Sequence, residues 1–163
     1  MANDLDKVLN QWEFYTLKAD RSYHSGDWND AAKDFVRTVE LLEPWLWNDP
    51  REKSKVVRFF VLACHNTAHV MGKLGREKEA EYYLSHAHFT LLALLGGTER
   101  AVSLHVPSLI QVVLMELKLT LNQLALYLRA RNKFALCESI QEESHRVIRQ
   151  TNCAVHERDI LDA

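Results

Sequence analysis

His65 and His69, in the run His65-Asn66-Thr67-Ala68-His69, carry the sharpest chemical signal in the chain. On a helix, residues four apart share a face, and two imidazoles so placed can chelate one divalent transition metal ion. The zinc-protease motif H-E-x-x-H needs a glutamate beside the first histidine as general base. Asn66 holds that place, which removes the protease reading. A turn near Gly75 would bring His86 or His88 to a similar height on an antiparallel neighbour, and Asp20 could approach from the other side. Against this stands a plainer reading: with eight histidines in 163 residues, some clustering is expected by chance. The histidines would then sit in a polar groove or bond to backbone.

Other catalytic patterns are missing from the sequence. It contains no G-x-S-x-G, no G-x-x-x-x-G-K-[ST] and no G-x-G-x-x-G. Cys64 precedes His65 directly, but neighbouring helical positions point about 100° apart and do not pair as nucleophile and base. Cys64, Cys137 and Cys153 are scattered and form no C-x-x-C, so neither a disulfide framework nor a zinc ribbon is indicated. The expectation is a non-enzymatic protein without a cofactor.

The elements that must position these residues are helices. The stretch Pro107 to Arg131 is the longest apolar segment. Ile110, Leu114, Leu117, Leu121, Leu124, Ala125 and Leu128 form one helical stripe, and Val112, Met115, Leu119 and Leu126 a second. The second stripe calls for cover either from a neighbouring hairpin or from a second chain in a homodimer. Glu116, Lys118, Asn122 and Gln123 near its middle would be costly in hydrocarbon, so no membrane span is expected.

Helix one is expected from Asp4 or Leu5 to about Tyr23, and helix two from Trp28 to about Leu42, burying Trp28, Ala31, Ala32, Phe35, Val39 and Leu42. Pro44 stops it, and Trp45-Leu46-Trp47 is an aromatic connector that reads as a lid or an exposed recognition patch. Asp49-Pro50-Arg51-Glu52 is a helix-start signal, combining a cap, a first-turn proline and a capping-box partner. Helix three then runs to about Lys73 and helix four from Arg76 to about Leu95, where Gly96-Gly97 ends it. Thr98 to Val106 is a short helix or a loop. Helix five is the apolar one, and helix six runs from Asn132 or Lys133 to about Arg149. Order in the charged stretch Thr151 to Ala163 is left open.

With 47% hydrophobic and 26% charged residues the chain reads as one globular domain spanning 1–163. A net charge of −2 gives no reason to expect nucleic acid. The N-terminal MANDLDKVLNQW shows no secretory signal, which makes the cytoplasm the default expectation.

Three turns are flanked alike. Gly26, Trp28, Ala31, Phe35 and Leu41 precede Pro44; Ala68, Gly75, Ala80, Leu84 and Ala87 recur in nearly the same frame. Leu121, Leu124, Ala125 and Leu128, then Asn132, Phe134 and Cys137, form the third set. Together they resemble the tetratricopeptide repeat, W-x2-L-G-x2-Y, then A-x3-F, then P. The turns lie about 49 and 57 residues apart, against about 34 in that family, and Gln141 stands where the pattern has an aromatic. The resemblance implies an all-α fold, about six helices in three antiparallel hairpins forming a right-handed stack. It further implies a peptide-binding groove on the first helices of the pairs. Carried over, that groove takes Glu13, Thr16, Asp20 and Tyr23, then Leu62, His65 and His69, then Leu119, Asn122, Leu126 and Arg129. Too few Lys and Arg fall there to clamp an acidic C-terminus. The leading expectation is a protein- or peptide-binding scaffold or adaptor, in a more specific form a chaperone. The alternative is a metal-responsive helical protein using His65 and His69.

Overall fold

The computed structural model describes residues 2–47, 53–96 and 107–161, with side chains over 4–47, 53–96 and 109–155. The chain is all-α. Among the described residues there are six α-helices, α1 (Ala2–Ser25), α2 (Trp28–Leu42), α3 (Lys53–Lys73), α4 (Glu77–Gly96), α5 (Pro107–Ala130) and α6 (Phe134–Leu161), and no strand. Pro44 ends α2 as expected, tightening the chain into one 3-10 turn, Glu43–Leu46. The start signal at Asp49–Glu52 and the stretch Thr98 to Val106 lie outside the described residues.

Three turns joining the helices of a pair share one set of hydrogen bonds. The amides of Asp27, Arg76 and Lys133 bond the carbonyls of Ser22, Met71 and Leu128. Those of Gly26, Gly75 and Asn132 bond Tyr23, Gly72 and Arg129. This is the Schellman closure, and it requires a left-handed residue at the second position. Gly26 and Gly75 take it at φ 87° and 70°; Asn132 takes it at 59°. Counting outward from each such residue, seven back and five on, Ala19 faces Ala31, Ala68 faces Ala80, and Ala125 faces Cys137. All of these are buried, and Cys137 Sγ lies 3.9 Å from the Ala125 carbonyl oxygen. Small residues at these crossings let two helical backbones approach closely.

Two compact units divide the chain, residues 1–87 and 88–163. In the first, three contacts join residues 46 or 47 apart: Trp12 stacks on Phe59, Tyr23 bonds His69, and Asn29 bonds Arg76. Two of these join α1 to α3 at nearly the same offset, so the two helices run parallel and in step. The core of this unit is built from Ala19, Phe35, Val39, Leu42, Val57, Phe60, Val61 and Cys64, as the helical periodicity predicts. Burial raises the Cys64 thiol far above its ordinary range, leaving it an inert filler.

The second unit comprises the end of α4 from His88, with α5 and α6. Leu117, Leu121, Leu124, Ala125 and Leu128 are buried, as expected for the first apolar stripe of α5. Met115, Leu119 and Leu126 of the second stripe are about half exposed among the described residues. Two other expectations are corrected and one left open is decided. Trp28 is exposed, because it opens α2 at the turn rather than on its inner face. Trp47 is exposed too, and Leu46 rather than either tryptophan is fully buried in the connector. Helix α6 continues past Arg149 to Leu161, held by buried Ile148 and by Thr151, whose hydroxyl donates to the Val147 carbonyl at 2.9 Å.

Candidate functional site

In the first unit, the parallel pair α1 and α3 leaves a cleft of about 220 Å³. Helix α1 lines it with Thr16, Leu17, Asp20, Tyr23 and His24, while α3 contributes Asn66 and His69. Phe35 of α2 closes its floor. Positions 16, 20, 23 and 24 recur at helical spacing, which puts them on one side of α1. The Tyr23 hydroxyl lies 2.7 Å from His69 Nε2, and the two rings sit 5.5 Å apart at 47°. His24 Nε2 is 3.5 Å from Asp20 Oδ1, an exposed pair of small energetic weight.

Of the candidate groove residues, the structure therefore brings Thr16, Asp20, Tyr23 and His69 together. His65 lies one turn earlier on α3, half-buried, with its Nε2 lacking a hydrogen-bond partner. Burial lowers its pKa, so it stays neutral at physiological pH. Asn122 and Arg129 belong to the second unit. Both are exposed, and Arg129 bonds Gln141 across the hairpin at 3.3 Å. Gln141 also lies 3.6 Å from Cys137 Sγ, which gives the residue that departs from the repeat pattern a structural role.

Other histidines and Asp20 have contacts of their own. His86 pairs with Glu43 at 3.2 Å and stacks on Tyr82. His88 belongs to the second unit, and Asp20 is engaged with His24. Among the described residues no group of three His, Cys, Asp or Glu side chains is placed to hold a metal ion.

One polar cluster escaped the sequence reading. His88 is fully buried, with Nδ1 3.0 Å from Thr120 Oγ1 and Nε2 2.8 Å from Ser144 Oγ, tying α4, α5 and α6 together. Each hydroxyl also reaches a backbone carbonyl, Thr120 to Leu117 at 3.0 Å and Ser144 to Ile140 at 2.6 Å. A neutral imidazole and two hydroxyls supply three protons for these four contacts. One hydroxyl must therefore turn from its carbonyl to donate to the ring. Burial lowers the His88 pKa to about 4, which keeps the ring neutral. The signal for this cluster was present in the sequence: His88, Thr120 and Ser144 each interrupt an apolar stripe in phase.

The fold and the cleft define the class: an all-α protein of helical hairpins with an open cleft described in its first unit. The chain belongs to the family described as protein of unknown function DUF2753, whose pattern matches residues 10–160. No curated protein and no solved structure matches it.

Proposed function

We propose that the protein is a non-enzymatic scaffold that binds an extended polypeptide in the cleft between α1 and α3, on a tetratricopeptide-like array of hairpins. The observation that carries this is the in-step parallel pairing of α1 with α3. It leaves accessible side chains of two different hairpins facing one groove. Three further features favour the repeat reading: the identical turn closures, the small residues at each crossing, and the near-constant offset of 46 or 47 residues. The cleft, about 220 Å³, is smaller than the roughly 300–1,000 Å³ typical of sites for whole small molecules. It suits one side chain of a longer ligand.

Selection of displayed random peptides on the purified protein tests the proposal. Binders are expected whose affinity drops at least about tenfold, about 1.4 kcal/mol, when Tyr23 and His69 are both replaced by alanine. Two lost hydrogen bonds of about 0.5–1.5 kcal/mol each account for that loss. The double variant should melt within a few degrees of wild type, since both side chains reach solvent. Binders indifferent to the double replacement would place the recognition surface elsewhere.

A further inference from the structure

We infer that the side chain taken by the cleft is cationic, an arginine of the partner polypeptide; this rests on the peptide-binding reading of the same cleft. Asp20 is the single carboxylate among the residues that line it. No lysine or arginine lines it, so a carboxylate or phosphate would meet repulsion from Asp20 with no basic side chain of that kind to offset it. The pairing of Asp20 with His24 is long, 3.5 Å, and exposed, so an incoming cation displaces it at little cost.

The rest of the lining fits a guanidinium better than an ammonium. Leu17 and Phe35 offer an apolar bed for a three-carbon stem, as basic side chains commonly use. The Tyr23 and His69 rings, locked by their 2.7 Å hydrogen bond, present an aromatic wall on which a planar guanidinium can stack. Asp20, the Asn66 carbonyl oxygen and the Tyr23 oxygen are acceptors for a group that carries five N–H donors and accepts nothing. Size agrees as well. At about 30 Å³ per water, a 220 Å³ cleft holds roughly seven waters, close to the heavy-atom count of an arginine side chain.

The test uses the full chain, isotopically labelled, and three short blocked glycine–alanine peptides with a central arginine, citrulline or glutamate. Citrulline keeps the shape of arginine and removes its charge. The arginine peptide is expected to shift the amide signals around Asp20, Tyr23 and His69, and to bind at least tenfold more tightly than the citrulline peptide. Asp20→Asn should erase that preference while leaving the melting temperature unchanged. Glu138→Gln, the same charge change on exposed α6, should preserve it. Equal binding of arginine and citrulline, or preference for glutamate, overturns the cationic assignment and leaves the peptide cleft standing. No shift at the cleft with any of the three overturns both.

Discussion

Acid should loosen the second unit through His88, and the size of the effect follows from its surroundings. The ring is fully buried and its pKa falls from 6.5 to about 4 because burial penalises the charged form. In the unfolded chain the same ring takes up a proton as pH falls below about 6.5. The unfolded state then binds more protons than the folded one, so stability rises with pH across this range. The contribution is complete above pH 6.5 and is lost progressively down to about 4. Linkage gives a loss of about 2 kcal/mol between pH 8 and pH 5, approaching about 3 kcal/mol at pH 4. Urea unfolding of wild type and of His88→Gln at a series of pH values isolates this part, since the other histidines, His65 included, cancel in the difference. The difference between the two proteins should shrink by about 2 kcal/mol from pH 8 to pH 5. Nitrogen NMR of the wild-type imidazole gives an independent reading that needs no variant. A His88 ring that titrates near 6.5 in the folded protein, or parallel pH profiles for the two proteins, would refute the reasoning.

Other expectations are simpler to check. Leu124→Ala removes a fully buried side chain of α5 and should cost about 2–5 kcal/mol in denaturant unfolding, whereas Leu126→Ala on the exposed face should cost less than about 0.5. Gly75→Ala meets no neighbouring atom, so its cost, about 1–2 kcal/mol, is that of placing a Cβ in the left-handed region. Asn132→Gly relieves the same strain in the third turn and should raise the melting temperature, with a gain below about 1 kcal/mol.

The helices were legible because their apolar residues recur at helical spacing and few breakers intervene. Trp28–Leu42 ends where Pro44 dictates, and Gly26 and Gly75 occupy left-handed turns that their lack of Cβ permits. The end of α6 was not legible, since beyond Arg149 the sequence is charged, and of the side chains described there Thr151 alone is buried. Asp20, Tyr23 and His69 were legible as a group through the repeat resemblance, because that frame fixes which side of each helix faces its neighbour. The sequence left open how His86 and His88 are turned. Two residues apart on α4 they point to different sides, one toward Glu43 and the other into the second unit. The His88 cluster joins residues 32 and 56 positions apart, and no local pattern encodes such pairings.

The central claim is that the cleft between α1 and α3 receives a polypeptide. A photo-crosslinking amino acid at Leu17, which lines the cleft and is 54% exposed, reads this out directly in the source cell. The same probe at Phe134, equally exposed at 55% but in the second unit, serves as the reference. A discrete polypeptide adduct formed from position 17 and missing from position 134 is the predicted result. Identical adducts from both positions, or none from position 17, would contradict it.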